Sequence, residues 1–248
     1  MDGLGEAARL VSGARRGVAF TGAGVSAESG IRTFRGEDGL WKQYDPVKTA
    51  TLSYFLQDPA FYWGVSRERW HTYREARPNP GHYALAALEE QGHLRGVVTQ
   101  NTDSLHLEAG SRHLVELHGN GRTVRCLDCG ASEPRAEVQA RLEAEMPPRC
   151  LTCGGIHIKP AVVFFGESLP TAAVAEAVRL ATECDLMLVV GSSLAVRPAA
   201  DVPVLAADRG APVVIVNDEP TPLDELATVV LRGRSGEILP EIQRLAGG

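Results

Sequence analysis

The sequence predicts an α/β fold, an open parallel sheet with helices between its strands, carrying a smaller metal-binding module. Three observations lead there. Short apolar runs recur along the 248 residues, each broken at its end by glycine or by a polar side chain. Segments of helical spacing separate most of these runs, as strands joined by crossover helices require. Four of the five cysteines stand as Cys126-x-x-Cys129 and Cys150-x-x-Cys153, a spacing that belongs to a metal module rather than to the sheet.

Composition narrows the class. With 44% hydrophobic and 23% charged residues the chain is an ordinary globular protein, long enough for a large domain bearing a smaller one. A net charge of -6 argues against nucleic acid as the main partner, because neutralising phosphates needs clustered Lys and Arg. No apolar run approaches a membrane span, so no membrane partner is expected. The amino-terminal stretch MDGLGEAARLVSGARRG lacks the apolar core of a signal peptide, and the expected address is the cytoplasm. In that setting the cysteine pairs read as a zinc site: each short loop lets two thiolates converge on one metal, and four close a tetrahedron. A redox Cys-x-x-Cys needs one pair only and leaves the other unexplained. Four sulfurs leave no position open to water, so the metal is expected to hold the fold and take no part in chemistry. Cys184, ahead of an apolar run, is expected to be a buried thiol without a chemical role.

Residues 4–14 have helical spacing and stop at Arg15-Arg16-Gly17. Val18-Ala19-Phe20-Thr21 is the first strand and runs into Gly22-Ala23-Gly24-Val25-Ser26-Ala27, a Gly-x-Gly-x-x-Ala match to the dinucleotide fingerprint. A plain tight turn would look the same. No acidic residue closes a second strand at the distance a dehydrogenase needs. Instead the chain enters a glycine-rich loop with Arg32, Phe34, Arg35 and Trp41, then a helix-rich segment as far as Tyr73. A nucleotide at Gly22 would lie under a long loop and a helical module, which suits cleavage of a cofactor in a closed pocket better than reversible hydride transfer.

Pro78-Asn79-Pro80-Gly81 is expected to be a turn and residues 83–91 a helix stopped by Gly92. The next strand, Gly96-Val97-Val98, gives way abruptly to Gln100, Asn101 and Asp103. At the carboxyl end of a parallel strand, two amides and a carboxylate are placed to hydrogen-bond a polar small molecule. A short run, Leu114 to Leu117, then delivers His118 beside Gly119 to the same crevice. The competing reading has Asn101 and Asp103 capping the helix SLHLEA and His118 as one more satisfied histidine. The metal module follows over about 122–157, with a polar helix at 135–145 and His157 close enough to Cys153 to be an alternative ligand. From Ile158 to Glu167 the chain is expected to return to the main sheet. A helix at 171–183 and a strand at 186–190 lead to Gly191-Ser192-Ser193, a second turn able to face a phosphate. A helix at 199–208 and a strand at 213–216 lead to Asn217, placed for ribose hydroxyls; a last strand is expected at 226–231 and a last helix at 237–245.

Five strand ends on one rim predict a nucleotide cleft. Gly22-Ala23-Gly24-Val25-Ser26, Phe34-Arg35-Gly36, Thr99-Gln100-Asn101-x-Asp103-x-Leu105-His106, His118-Gly119, the four cysteines, Phe165-Gly166-Glu167 and Gly191-Ser192-Ser193-Leu194 together resemble the sirtuins, NAD-dependent protein-lysine deacylases, here of bacterial type. The motifs run in family order across nearly the whole chain.

The resemblance implies a Rossmann-like parallel sheet with helices on both faces, formed by residues 1–34, 79–120 and 158–248. A smaller zinc-ribbon and helical domain would take 35–78 and 121–157, with NAD and an acylated lysine of a protein substrate meeting between the two. By the same resemblance Gly22, Ala23 and Gly24 line the pyrophosphate, Phe34 and Arg35 belong to the cofactor loop, and Ser26 and Trp41 are further cofactor contacts. Gln100, Asn101 and Asp103 hold the nicotinamide half; Gly191, Ser192, Ser193, Asn217 and Ser235 hold the adenosine half. Val162 and Phe165 wall the acyl-lysine channel. His118 and Asn101 are the implied catalytic pair: the acyl oxygen displaces nicotinamide from the ribose, and His118 takes a proton from a ribose hydroxyl so that it can attack the imidate. Water then completes the release of lysine and O-acyl-ADP-ribose. Imidazole suits the task because its pKa lies near neutral pH.

Two departures stand out. Arg32-Thr33 replaces the usual Pro-Asp ahead of the loop Phe, and Ser66 and Arg69 occupy the places of the Tyr-x-x-Arg pair found in the desuccinylase branch. With the tyrosine absent, a succinyl carboxylate loses one of two anchors, so uncharged acyl groups are expected to be preferred. Cys126-Leu127-Asp128-Cys129-Gly130 and Ala109-Gly110-Ser111-Arg112 are similar to the branch of weakly deacetylating mitochondrial sirtuins. Two alternatives share the same residues: mono-ADP-ribosyl transfer to protein, and an NAD-binding sensor without turnover.

Overall fold

The computed structural model describes residues 3–34 and 39–247. Among them are nine strands: β1 (Gly17–Thr21), β2 (Leu94–Thr99), β3 (Leu114–Glu116), β4 (Gly119–Cys126), β5 (Ser132–Pro134), β6 (Ile158–Val162), β7 (Leu186–Val190), β8 (Val213–Val216) and β9 (Val229–Leu231). Six of them form one sheet in the order β3-β2-β1-β7-β8-β9, and every neighbouring pair is parallel.

Burial on both faces explains why these strands read as continuous apolar runs rather than alternating ones. On one face Ala19, Val97, Leu188 and Val214 pack against helices Gly3–Gly13, Pro80–Glu90 and Ser235–Ala246, through Val11, Leu85, Leu88, Leu239 and Ile242. On the other Val18, Phe20, Val98, Val189 and Ile215 meet helices Thr171–Glu183 and Asp201–Asp208 through Ala177, Leu180 and Ala206. Val18, Ala19 and Phe20 thus alternate between two cores, each large side chain contributing roughly 1.5–3 kcal/mol by burial.

β1 is followed in the chain by a crossover to one side, to β2, while its other neighbour, β7, begins the opposite half of the sheet. That reversal opens a crevice beyond the carboxyl ends of β1 and β7, the place where such sheets bind ligands. The fold therefore sets Gly22 and Gly191 at its lip.

One strand departs from expectation. β6 does not rejoin the parallel sheet; it pairs antiparallel with β4, and the order β5-β4-β6 makes a separate three-stranded sheet. Its sequence is apolar enough for either place, but Pro160 offers no N–H to a ladder and sits comfortably only in an edge strand. Phe55, Trp63, Val124, Val138, Leu142, Ile158 and Phe164 give this module its own core, and Trp63 Nε1 donates to Ile158 O at 2.9 Å. Helices Pro46–Ala50, Leu52–Gln57 and Pro59–Glu75 complete it.

Smaller corrections follow the caps. The expected turn at Pro78 to Gly81 is the start of helix Pro80–Glu90, with Asn79 as N-cap and proline tolerated in the first turn. The polar helix between the cysteine pairs ends early, as Arg135–Arg141, and the last strand is confined to Val229–Leu231 after a short turn at Asp224–Leu226. Among the described residues, no helix is long and apolar enough to cross a membrane.

Candidate active site

A cleft of about 1490 Å³ lies at the switch point of the sheet and extends to the small module. Its walls bring together Gly22, Ala23, Gly24, Ser26, Phe34, Trp41, Gln100, Asn101, Asp103, His118, Gly191, Ser192, Ser193, Asn217 and Ser235, with Val162, Phe165, Ser66 and Arg69. Arg35 lies outside the described residues.

The two glycine turns at the lip are packed backbone to backbone. Gly24 N donates to Gly191 O at 2.7 Å, and a Cβ on Gly24 would fall 2.7 Å from Gly191 Cα, so no larger residue fits. The loops can stay this close only without side chains, which is what a backbone cradle for a pyrophosphate demands. Gln100 spans from β2 to the second turn, donating Nε2 to Ser192 Oγ at 2.9 Å. Ser235, on the helix that follows β9, has a buried hydroxyl without a protein partner at the cleft wall. An orphaned donor in this position fits a bound polar ligand.

Asn101 is nearly buried and donates Nδ2 to both Gly22 O and Ser26 Oγ, each at 3.1 Å. Ser26 in turn donates to Asp103 Oδ2 at 2.7 Å, while Asp103 Oδ1 accepts from Leu105 N at 2.9 Å. The capping role weighed for Asp103 is thus real, and its second oxygen is engaged with the glycine turn as well. Burial raises the Asp103 pKa above its ordinary value, opposed by the bonds from Leu105 and Ser26.

His118 presents one nitrogen to the protein. Its Nδ1 lies 3.0 Å from Gln100 O, a carbonyl that can only accept, so Nδ1 carries the proton and Nε2 remains a free base. Burial lowers its pKa, partly offset by that bond, which keeps the ring neutral near pH 7. The next residue has to be glycine: Gly119 has φ +70°, and a Cβ there would lie 2.1 Å from Ala161 O. Val163 N donates to His118 O at 2.8 Å, tying the histidine to the Val162–Phe165 segment.

The aromatic contacts join the loop to that segment: Trp41 lies 5.7 Å from Phe34 and 6.1 Å from Phe165 between ring centroids. Lys159 is buried over the Phe164 ring, 4.4 Å from its centroid, and pairs with Glu167 at 3.0 Å, while donating to Val162 O at 2.6 Å. Ser66 and Arg69 line the cleft from helix Pro59–Glu75.

The four cysteine sulfurs all lie within 4.8 Å of one another, with Cys126 to Cys153 and Cys129 to Cys150 both at 3.7 Å. A tetrahedron of Zn–S bonds of about 2.3 Å has edges of about 3.8 Å, so the thiolates already have the spacing of a closed zinc site. His157 is not part of the cluster; its Nδ1 bonds Asp128 Oδ1 at 2.9 Å. Cys184 is half-buried, its thiol donating to Ala181 O at 3.2 Å and pushed by burial to about 11, as an inert thiol should be.

Sequence reasoning missed a second pair of histidines behind the cleft. His82 and His106 stack edge to face at 4.9 Å, both buried. His82 Nδ1 accepts from Asn79 N, leaving Nε2 to face Ser26 Oγ at 3.3 Å; His106 Nε2 meets Thr21 Oγ1 at 2.8 Å. Burial depresses them to about 4 and about 3. The motif containing His106 was visible, but only folding reveals that Thr21, Thr99 and His106 share a buried hydrogen-bond chain.

The Sir2 family model matches residues 22–198. NAD-dependent protein deacylase 2 of Archaeoglobus fulgidus is 46% identical over 241 residues, covering 97% of this chain and 95% of its own. The NAD-dependent protein deacylase of Thermococcus kodakarensis is 48% identical over 244 residues, covering 97% and 95%. A solved structure of a Sir2 protein with a deacetylated p53 peptide and 3'-O-acetyl ADP ribose superposes with a TM-score of 0.93 at 37% identity, covering 98% of both chains. These named relatives are archaeal, so they lend nothing to the expected bacterial type.

Proposed function

This chain belongs to the Sir2 family, and from that premise we propose how its residues carry out the chemistry. It is an NAD-dependent protein-lysine deacylase. NAD, when bound, supplies a ribose carbon activated by its nicotinamide leaving group, the acceptor for the acyl oxygen of an acylated lysine.

In our reading the glycine turns at Gly22 to Gly24 and Gly191 cradle the pyrophosphate. Ser192, Ser193, Asn217 and Ser235 take the adenosine half, and Gln100, Asn101 and Asp103 the nicotinamide half. Phe34 and Trp41 cover the cofactor, while Val162 and Phe165 flank the lysine. His118 Nε2 accepts the proton of a ribose hydroxyl, and Asn101 holds the floor beside it. The observation that carries this is the bond from His118 Nδ1 to Gln100 O, which leaves an unprotonated nitrogen on a cleft wall shared with Asn101 and the glycine turns. The four thiolates hold one structural zinc and keep the small module folded.

We assign residues 1–34, 79–120 and 158–248 to the nucleotide-binding domain and 35–78 with 121–157 to the small domain, except that β6, at the start of the last segment, pairs with β4 in the small module's sheet. Four metal-binding thiolates without a disulfide suit a reducing compartment, for which the cytoplasm is our reading.

Incubation with labelled NAD and an acetylated peptide tests the function. The expected result is nicotinamide release with the acetyl group transferred to ADP-ribose. Label left on the protein would indicate ADP-ribosyl transfer instead, and binding without release would indicate a sensor.

A further inference from the structure

The segment that leads from β6 into the cleft is folded around one buried ammonium group. Lys159 is 4% exposed, and its three N–H donors all turn to its own neighbourhood: Val162 O at 2.6 Å, Pro160 O at 3.2 Å and Glu167 Oε2 at 3.0 Å. The Phe164 ring lies against it, 4.4 Å from Nζ to the centroid. Glu167 Oε2 also accepts from Phe164 N at 2.7 Å. The pair therefore holds the segment at two points, the carbonyl of Val162 and the amide of Phe164.

The rest of that backbone is tied to the walls around it. Val163 N donates to His118 O at 2.8 Å, while Phe165 N donates to Ala50 O at 2.8 Å and its carbonyl accepts from Leu52 N at 3.0 Å. Val162, Phe164, Phe165 and Glu167 line the cleft, and Lys159 is not among the lining residues. Whatever Lys159 does for the reaction, it does through them. An ion pair taken out of water loses hydration that its own attraction does not always replace, so stability alone is a weak reason to keep one here. A methionine of similar length would fill the space beside Phe164 without that loss. It would not supply direction: three bonds from one ammonium hold Val162 and Glu167 in a single arrangement.

We propose that Lys159 is a positioning residue for deacylation: paired with Glu167, it fixes the Val162–Phe165 wall against His118 and so aligns the acyl-lysine with the reacting ribose. This rests on the deacylase reading above and deepens it. Alignment of this kind matters because a misplacement of about 1 Å at a reacting centre can cost on the order of a hundredfold in rate. Without the ammonium, Val162 O loses its donor and Glu167 loses the charge that holds it over Phe164 N. The wall then loosens where it must grip the substrate, while the glycine turns keep their own contacts.

The test compares wild type with Lys159→Met and Lys159→Arg in steady-state deacylation of an acetylated peptide, alongside calorimetric binding of ADP-ribose and the urea midpoint. Lys159→Met should lower kcat/KM for the peptide by about tenfold or more and leave ADP-ribose affinity within about twofold. Lys159→Arg, which keeps the charge and several donors, should recover part of the loss. A merely structural role would lower the midpoint but leave the folded fraction with a normal peptide kcat/KM, and that result overturns the proposal. A parallel fall in ADP-ribose affinity overturns it too. Should Lys159→Met fail to fold, Glu167→Gln carries the same test, because it keeps an acceptor oxygen for Phe164 N and weakens the pair; a peptide kcat/KM within about twofold of wild type would then sink the inference. If wild type released no nicotinamide with any acylated peptide, the deacylase reading would fail instead, and peptide binding by the same variants would still read the state of the wall.

Discussion

His118 combines a position and a charge state. Its free Nε2 and its lowered pKa make it a base already deprotonated at neutral pH. Replacing it with alanine should cost on the order of 10²–10⁴ in kcat while NAD binding, measured by calorimetry, persists. The pH profile should show the same ring: kcat/KM stays level below pH 6.5 and falls only as acid protonates a histidine whose pKa burial has lowered. A limb above 6.5 would contradict that assignment. Gly119 supports the histidine through its backbone. With φ +70° and Ala161 O in the way, Gly119→Ala should destabilise by roughly 1–3 kcal/mol, read as a lower urea midpoint, and displace His118. At this scale the sequence was legible where residue type restricts chemistry, as for His118 and the cysteines. It was silent on buried contacts such as that of Arg135 with Ser66, 69 residues away.

The strand-end loops lock together through buried histidines. Asn79 caps helix Pro80–Glu90 and fixes His82 against Ser26, while His106 reaches Thr21 on β1. An unfolded histidine binds a proton near pH 6.5, but the folded pair does so only near 4 and 3. Between these values the unfolded state holds more protons, so stability is full above about pH 6.5 and is lost as the pH falls through about 4. Urea unfolding should show a loss of a few kcal/mol from about pH 7 to about pH 4.5. A flat profile would mean that the pair is hydrated or charged. The helices and strands themselves were legible because their periodicity is local. Their ends were less so, since caps such as Asn79 and the edge strand β6 take their meaning from partners elsewhere.

The molecule joins two cores around one cleft: a parallel sheet covered on both faces, and a small module whose core includes Cys126 and Cys150. Chelation should therefore act on the module first. One zinc per chain should be released, proteolysis should concentrate between residues 127 and 157, and activity should fall with it; an apo protein that stays folded and active would contradict the structural role. The five polar strand ends, the glycine turns and the cysteine spacing were determined by the sequence itself, because each depends on residues a few positions apart. Tertiary structure alone decided that β6 leaves the main sheet, that His82 and His106 stack behind Ser26, and that Arg135 meets Ser66. An apolar run states that it must be buried without stating against what. Only packing chooses the partner.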